Sequence, residues 1–358
     1  MEIQNKLLLR PSDIKPTFSN WVVSGVFNPG AIRLPNKKIM LLARVSESVK
    51  QEEGKEVWPL IISKDNYDVK YREISKRKIL DRGRNVIYMK GGISRLTTIS
   101  HFRRIILSED GFNVENIEKI PAFVGEPGDG DLGVEDARII KMGNHYLMTY
   151  VSVCLKEGVC TSLATSKNLK NWDRKGIIFR QQNKDVVLFP EKMGGEYVAL
   201  HRPEGTIDFS KKSIWISHSP DLIYWGREKV IMVARPGSWG DGWIGSGPPP
   251  IKTKKGWLLF YHGAKDVRRK KYYAVGAALL DLKNPEKVLA RTSEHNPLIK
   301  PGYSYEKKGF IDGVVFPTGA IETLDKKSIL LFSGGGDRVI TVKKIKIDDV
   351  LNSLEYAK

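Results

Sequence analysis

Cysteine is scarce in this 358-residue chain, which contains only Cys154 and Cys160. Two cysteines cannot form the dense disulfide framework that stabilises a small secreted domain, so that class of protein is excluded and we expect two thiols. The six histidines are scattered, and neither cysteine nor histidine shows the spacing of a zinc site. The sequence therefore predicts no metal site.

Long apolar runs are also missing. Residues 1–11 contain neither the apolar stretch nor the small-residue cleavage site of a secretory signal. No later segment reaches the roughly 20 apolar residues that a membrane-spanning helix needs. We therefore expect no membrane contact and a cytoplasmic location.

Acidic residues are outnumbered by basic ones, 41 against 59, which gives a formal net charge of +18. Such a charge attracts nucleic acids, anionic membranes or phosphate-bearing ligands. The basic residues are, however, spread along the chain in short groups such as residues 76–78, which is typical of solvated turns and of thermophilic proteins. We expect no nucleic-acid partner. A non-catalytic protein that binds a polyanion or another protein through its basic surface is the alternative from a different functional class.

Helical periodicity is rare, whereas one turn pattern recurs five times. Four copies place Ser and Asp or Asn after an apolar residue and before an aromatic or apolar one, and the last copy follows the pattern more loosely, without Ser; each is expected to form a tight turn at the end of a strand. The copies are residues 62–67, 107–112, 165–172, 218–225 and 280–285. Their spacing of roughly 45 to 60 residues suits four-stranded blades. The sequence predicts an all-β fold, a five-bladed β-propeller, with a pair of β-sandwich domains as the alternative.

The predicted propeller occupies the whole chain, residues 1–358, as a single domain. We expect an N-terminal extension at residues 1–20 and a helical tail at residues 345–358. The helix is predicted because Val350, Leu351 and Leu354 fall on one face of the segment from Ile347 to Ala357.

Several segments combine polar side chains with glycine or proline and indicate the rim of a pocket. They include residues 27–31, 133–138, 183–185, 201–203, 245–250, 261–263 and 334–337. Cleavage of a glycoside by water requires two carboxyl groups, whereas phosphate as the nucleophile requires one acid and a basic cluster to hold the anion. The candidates for that cluster are Arg44, Lys184, Arg202 and His262. Each also has a structural alternative: Arg44 and Arg202 as ion pairs, His262 as a hydrogen-bonded strand residue, and Arg138 as a salt-bridge partner of Asp136.

These motifs together resemble glycoside hydrolase family 130, the mannoside phosphorylases and related β-mannosidases built on a five-bladed propeller. The resemblance extends from Asn28 to Asp337. It includes Asn-Pro-Gly-Ala, Leu-Leu-Ala-Arg-Val, Gly-Val-Glu-Asp-Ala-Arg, Asn-Lys-Asp-Val-Val-Leu-Phe-Pro-Glu-Lys, His-Arg-Pro, Gly-Ser-Gly-Pro-Pro-Pro-Ile and Gly-Val-Val-Phe-Pro-Thr-Gly.

The resemblance implies roles for individual residues. It places the catalytic acid on Asp136, with Ala137 where the family usually has proline, and implies that this acid acts through a hydroxyl of the mannosyl unit. It places the phosphate ligands on Arg44, Lys184, Arg202 and His262. The expected substrate-binding residues are Asn28, Arg138, Asp185, Asp312 and Asp337. It implies no cofactor, with inorganic phosphate as co-substrate.

Two positions depart from the family pattern. Trp243 stands where phosphorylases usually carry lysine, which removes one expected phosphate contact. Residues 332–337 read Phe-Ser-Gly-Gly-Gly-Asp in place of Tyr-Tyr-Gly-Ala-Ala-Asp, so the wall that binds the sugar is expected to differ.

The leading functional hypothesis is an inverting phosphorylase that converts β-mannosides, with β-1,2-linked manno-oligosaccharides preferred, to α-mannose 1-phosphate. A β-mannoside hydrolase is the runner-up, suggested by Trp243 and by the further carboxylates Glu135, Glu191 and Glu204. The expected partners are a manno-oligosaccharide and phosphate. The sequence leaves open a homo-oligomer, the length of the substrate and the net direction of the reaction.

Overall fold

A computed structural model describes residues 1–50, 55–63, 67–180, 182–204, 209–267 and 270–356. Within these ranges the protein is built from β-strands and has only two short α-helices, α1 (Ser304–Lys307) and α2 (Ile347–Asn352). The predicted all-β class is therefore confirmed. None of the described helices is long and apolar enough to cross a membrane.

Most strands belong to five antiparallel sheets, each formed largely by neighbouring strands of the chain. The chain begins with β1 (Ile3–Leu9), and the strands of the first sheet are β2 (Trp21–Arg33), β3 (Ile39–Val49), β9 (Ile99–Leu107) and β10 (Val114–Ile117). The second contains β11 (Val134–Met142), β12 (His145–Cys154), β13 (Gly158–Ser166) and β14 (Asp173–Phe179). The third contains β15 (Asn183–Leu188), β16 (Tyr197–Pro203), β17 (Ile214–Ser219) and β18 (Gly226–Met232).

The last two sheets complete the series. The fourth contains β19 (Trp243–Ser246), β21 (Trp257–Val267), β22 (Lys270–Leu280), β23 (Val288–Thr292) and β27 (Leu354–Tyr356), with β20 (Ile251–Lys252) beside β21. The fifth contains β24 (Val315–Glu322), β25 (Ser328–Gly335) and β26 (Val339–Lys346), and β1 is its outermost strand.

The first sheet carries an insertion between β3 and β9. It comprises the hairpin of β4 (Val57–Ser63) and β5 (Asp68–Glu73) and a small sheet of β6 (Ile79–Arg82), β7 (Val86–Met89) and β8 (Ser94–Leu96). Trp58, Leu60 and Ile87 of the insertion pack against Val151 and Val153 of the second sheet. The insertion therefore contacts a sheet other than the one that carries it.

The inner strands of the sheets are buried on both faces, and the outer strands are not. Every residue of β25 is buried, whereas β5 and β18 are largely exposed. Leu41 of the first sheet and Leu330 and Phe332 of the fifth share one hydrophobic cluster, so the core lies between sheets as well as within them. Burial on both faces explains why the inner strands are near-continuous apolar runs.

The N-terminal residues differ from the predicted extension. Ile3 to Leu9 form β1, which pairs with β26 from Ile3 opposite Ile345 onward. Leu9 is buried in the cluster between the first and fifth sheets. The prediction is wrong for this segment because its partner strand lies at the other end of the chain, where local sequence patterns cannot reveal it.

Four of the five predicted turns lie at one topological position, between the third and fourth strands of a sheet. In each, an Asp or Asn side chain accepts hydrogen bonds from the following backbone amides, as at Asp221 with Ile223 and Tyr224. The same geometry occurs at Asp110, Asn168 and Asp281. The fifth copy, residues 62–67, lies in the insertion, and its residues 64–66 are outside the described residues. The fifth sheet has no such turn because its fourth strand is β1.

The C-terminal tail is only partly helical. Residues 345 and 346 belong to β26, α2 ends at Asn352, and Leu354 to Tyr356 pair with β23. The predicted helix is confirmed over the six residues of α2, of which Val350 and Leu351 are buried. Beyond them the chain leaves the helix, because the edge of the fourth sheet offers backbone hydrogen bonds to a further strand. Leu354 is buried, but it belongs to that strand.

Candidate active site

The first strands of the sheets meet one another, and this contact brings distant motifs together. β2 contacts both β11 and β24, β11 contacts β15, and β15 contacts β19. Each of these strands except β19 contains a register shift. A β-bulge of this kind bends the strand and redirects a side chain, and bulges are frequent beside active sites.

The bulges place three polar residues in an unusual backbone conformation. The φ angles are 45° for Asn28, 55° for Asp136 and 57° for Asp185. Asn and Asp tolerate this left-handed conformation better than other non-glycine residues. The predicted acid and two predicted substrate-binding residues, Asn28 and Asp185, therefore occupy equivalent positions on three sheets.

The predicted phosphate ligands are also related by this arrangement. Arg44 pairs with Phe27 just before the bulge of the first sheet, and Arg202 pairs with Lys184 at the same point of the third. His262 pairs with Gly245 of the regular strand β19. The structure thus places Arg44, Lys184, Arg202 and His262 at one level of three sheets.

Asp136 is held by an amide and a guanidinium. The Nδ2 atom of Asn28 donates to Oδ1 of Asp136 at 2.9 Å, and Nη1 of Arg44 lies 3.1 Å from the same oxygen. Nη2 of Arg44 lies 2.6 Å from Oε1 of Glu135, and its Nε donates to Oγ of Ser100 at 3.1 Å. Arg44 is therefore an ion-pair partner of the predicted acid in this structure.

Asp337 is a second carboxyl group near this cluster. Burial raises the pKa of Asp337 to about 6; Arg44 opposes the rise, whereas Asp136 and Glu135 add to it. Asp337 also has a left-handed backbone, with φ of 49°. A buried carboxyl that holds its proton up to about pH 6 limits the negative charge beside Asp136.

Arg138 does not pair with the Asp136 carboxylate, contrary to the structural alternative considered for it. Its Nη1 donates to the backbone oxygen of Asp136 at 2.8 Å, its Nη2 lies 3.3 Å from Oδ1 of Asp185, and its Nε donates to the Gly247 oxygen at 3.3 Å. The reason is the bulge, which turns adjacent side chains in different directions. Arg138 therefore links the second sheet to the third and the fourth.

A second ionic cluster is centred on Asp185. Its Oδ2 lies 2.7 Å from Nε of Arg202 and 3.6 Å from Nε2 of His262, and Nη1 of Arg202 lies 2.5 Å from Oε1 of Glu204. Burial alone would raise the pKa of Asp185, but Arg202, His262, Arg138 and Lys184 hold it below its ordinary value. The carboxylate is therefore ionised across the physiological pH range.

His262 is fully buried, and neither ring nitrogen has a hydrogen-bond partner. Burial lowers the pKa of His262 to about 3, although Asp185 acts in the opposite direction. The imidazole is therefore neutral at pH 7 and can donate one N–H to an anion. The ring of Phe316 packs at 4.4 Å between centroids. A buried, unpaired donor of this kind is a feature expected of a ligand site.

Two cavities adjoin these clusters. One, of about 720 Å³, is lined by Lys184, Arg202, Glu204, Trp243 and Tyr273 among others. The other, of about 50 Å³, is lined by residues of the first cluster, by the insertion and by a loop before β24. Its lining includes Arg44, Glu135, Asp337, Asn85 and Phe310.

Asp312 is the one predicted substrate-binding residue that the structure does not bring into either cluster. Its Oδ1 accepts a hydrogen bond from the Gly309 amide at 3.2 Å and so shapes the loop that carries Phe310. A role for Asp312 in substrate binding stays a prediction. Among the described residues, no group of three or more His, Cys, Asp or Glu side chains is arranged to hold a metal ion.

Sequence reasoning missed several contributors. Ser100 and Phe316 contact Arg44 and His262, and Tyr273 lines the larger cavity. Neither Ser100 nor Tyr273 lies in a conspicuous motif. Phe316 does, in the run Val-Val-Phe-Pro-Thr-Gly, and the family resemblance of that run is the signal that could have found it.

The site and the succession of five sheets agree with a comparison against known protein families. The chain belongs to glycoside hydrolase family 130, whose sequence model, described as beta-1,4-mannooligosaccharide phosphorylase, matches residues 95–356. The family resemblance stated from the motifs is thereby confirmed.

Two relatives and one solved structure are similar to most of this chain. The chain is 36% identical to a beta-1,2-mannobiose phosphorylase of Listeria innocua, over 97% of this chain and 96% of that protein. It is 40% identical to a 1,2-beta-oligomannan phosphorylase of Thermoanaerobacter, over 68% of this chain and 78% of that protein. A solved structure of the beta-1,2-mannobiose phosphorylase from Listeria innocua, in complex with beta-1,2-mannobiose, superposes with a TM-score of 0.90 at 33% identity and covers 99% of both chains.

Proposed function

We propose that this protein is an inverting phosphorylase that cleaves β-mannosides with inorganic phosphate and releases α-mannose 1-phosphate. The observation that carries the proposal is the division of the site into two halves. One half holds the carboxyl group of Asp136 between Asn28 and Arg44, with the Glu135 carboxylate engaged by the same arginine. The other half offers Arg202, Lys184 and the unpaired donor of His262. An acid opposite a basic pocket suits phosphate as the nucleophile.

The chemistry follows from this division. A phosphate oxygen forms a bond to the anomeric carbon on the face opposite the leaving group, and the glycosidic carbon–oxygen bond breaks. The departing sugar receives the proton of Asp136, relayed through a hydroxyl of the mannosyl unit. Asp136 regains a proton from solvent before the next cycle. One displacement inverts the anomeric configuration, so a β-mannoside yields the α-phosphate.

For the substrate, we propose a β-1,2-linked manno-oligosaccharide. The support is the identity to relatives named for β-1,2-mannobiose and 1,2-β-oligomannan over most of the chain. The family model is described by the β-1,4 linkage. Incubation with phosphate and a panel of β-1,2- and β-1,4-mannobiose and mannotriose, followed by mass spectrometry, separates the two. Faster release of mannose 1-phosphate from the β-1,4 substrates would overturn the assignment of linkage.

Hydrolysis is the second candidate, and the positions of the further carboxylates weigh against it. Glu135 pairs with Arg44, Glu204 pairs with Arg202, and Glu191 pairs with Lys252 outside both clusters. A hydrolase needs one such carboxylate to activate water. The decisive assay compares mannobiose with and without phosphate. Equal amounts of free mannose in both, with no sugar phosphate, would refute phosphorolysis.

The proposed architecture is a five-bladed propeller. It is supported by five successive sheets, by the contacts among their first strands, and by the pairing of β1 with the C-terminal sheet, as a closed propeller would require. A crystal structure with a central channel between β2, β11, β15, β19 and β24 is the expected result. A cytoplasmic location stays a prediction, which cell fractionation can test. A homo-oligomer also stays a prediction, and light scattering can test it.

A further inference from the structure

Trp243, the residue that departs from the family pattern, lies in the larger cavity beside two lysines. The Nζ atoms of Lys212 and Lys271 lie 5.8 Å and 5.5 Å from the centroid of a Trp243 ring. These distances fall within the range of cation–π attraction. The three residues come from different parts of the fourth sheet and the segment before β17, so the tertiary fold assembles this group.

The outer group is connected to the inner cluster. Oε1 of Glu204 lies 2.5 Å from Arg202, and Oε2 of the same carboxylate lies 3.9 Å from Nζ of Lys212. Tyr273 packs edge-on against Trp243, with 5.7 Å between ring centroids, and lies 6.1 Å from the His262 ring. Lys184 and Arg202 line the same cavity. The cavity therefore leads from the outer lysines to the basic half of the site.

The cavity wall has a net positive charge. Its ionisable lining residues are Lys184, Arg202, Lys211, Lys212, Lys271 and Glu204. Lys211 pairs with Asp241, and the single charge of Glu204 is shared by two cations. An aromatic ring fixes an ammonium group without cancelling its charge, as a carboxylate would. Trp243 therefore positions two cations that remain available to an anion.

We propose that Lys212 and Lys271, positioned by Trp243, form an outer phosphoryl site. This site attracts inorganic phosphate towards Arg202 and His262 and holds the phosphoryl group of the sugar 1-phosphate as it leaves. The inference rests on the proposed phosphorolysis. It assigns to two lysines the attraction that the missing lysine at position 243 would have supplied.

The test compares the unmodified protein with Lys212→Gln, Lys271→Gln and the double variant. The double variant is expected to raise KM for phosphate in phosphorolysis, and for mannose 1-phosphate in synthesis, about tenfold. The value of kcat at saturating phosphate should stay within about twofold, because the proposal gives the lysines a role in capture and release of the anion and none in the displacement. Added NaCl should lower kcat/KM of the unmodified protein more than that of the double variant, because steering by charge is screened.

Matched controls separate charge from other effects. Lys255→Gln removes one exposed lysine from the turn between β20 and β21 and should leave both KM values unchanged. Lys271→Arg keeps the charge and should restore most of the affinity. Trp243→Leu retains both lysines but removes the aromatic ring that positions them, and it should therefore raise KM for phosphate.

Two results distinguish failure of this inference from failure of the proposed function. If the unmodified protein forms sugar phosphate and the double variant matches it in KM and in salt dependence, the outer site is refuted while phosphorolysis stands. If no sugar phosphate forms, phosphorolysis fails. Calorimetric titration with inorganic phosphate then decides on the outer site: weaker binding to the double variant supports it, and equal binding refutes it.

Discussion

Asp136 adopts a φ of 55°, which restricts the substitutions that can test its role. Asparagine tolerates this left-handed backbone nearly as well as aspartate, whereas alanine and β-branched residues do not. Asparagine also keeps the volume of the side chain between Asn28 and Arg44. It is therefore the substitution that removes the proton donor with the least disturbance of the bulge.

We predict that Asp136→Asn slows phosphorolysis by about 10² to 10⁴, the usual contribution of a general acid. The measurement is the initial rate of sugar phosphate release at saturating mannobiose and phosphate. Asp173→Asn, at an exposed position of β14, is the matched control and should keep the full rate. A rate for Asp136→Asn within tenfold of the unmodified protein would contradict the assignment.

The raised pKa of Asp337 predicts that the stability of the protein depends on pH. This pKa is about 6 in the folded protein against an ordinary value of 3.8, so the folded chain binds this proton more tightly than the unfolded chain. The stabilising contribution is complete below pH 4 and is lost as pH rises through 6. The free energy of unfolding of Asp337→Asn, minus that of the unmodified protein, should therefore increase between pH 4 and pH 7.

Urea denaturation at intervals across that range measures the difference, and contributions from groups that do not interact with Asp337 cancel in the subtraction. Asp173→Asn, at an exposed position of β14, is the control and should not produce the trend. A difference that stays flat with pH would show that Asp337 titrates normally.

Individual site residues could be predicted where they belong to a motif. Family resemblance predicted Asp136, Arg44, Lys184, Arg202 and His262; the structure places the first two in one cluster and the other three around Asp185 in a second cluster. The pairing of Arg44 with Glu135 and the link from Arg138 to Asp185 could not be predicted. Both depend on bulges that turn neighbouring side chains apart, and a bulge has no local sequence signature comparable to a turn.

Strand β19 presents residues to the site without a bulge, whereas each of the other first strands contains one. An added Cβ at Gly245 would lie 2.4 Å from Oδ2 of Asp185 and 2.5 Å from Cε1 of His262. Gly245 therefore lets the fourth sheet approach the third closely enough for Asp185 and His262 to be neighbours.

We predict that Gly245→Ala raises KM for phosphate at least tenfold, because the new methyl group must displace His262 or Asp185. Gly226→Ala, on β18, is the matched control, since its added Cβ would have no atom within 4 Å. Steady-state kinetics with varied phosphate provides the measurement. Equal KM values for the two variants would show that His262 does not contribute to phosphate binding.

The strands themselves were largely predictable, because apolar runs bounded by Asp and Asn turns recur along the chain. The insertion between β3 and β9 was not separated from the repeat, since its residues 62–67 imitate the turn pattern. The end of α2 was also missed, because Leu354 continues a helical spacing while it is buried from β27.

For the whole molecule, the repeat marked four of the five main sheets; its fifth copy lies in the insertion, and the fifth sheet, which β1 completes, has no copy. Leu9 of β1 is only 2% exposed and packs in the cluster shared by the first and fifth sheets. The stability of the complete fold therefore depends on a strand made from the first residues of the chain.

We predict that Leu9→Ala lowers the free energy of unfolding by about 2 to 5 kcal/mol, the usual cost of truncating a buried leucine. Gln4→Ala, an exposed position on the same strand, should change it by less than about 0.5 kcal/mol. Urea denaturation followed by tryptophan fluorescence measures both. A small effect of Leu9→Ala would indicate that β1 contributes little to the closed fold.

The pairing of β1 with β26 also affects how the protein is made. Ile3 is synthesised well before its partner Ile345, which follows 342 residues later in the chain (345 − 3). At bacterial or eukaryotic elongation rates of about 5 to 20 residues per second, β1 waits roughly twenty seconds to one minute for a partner. During that interval its backbone edge is open to other chains. We therefore expect the nascent protein to need chaperones, or rapid pairing once β26 emerges, more than a fold completed in chain order would.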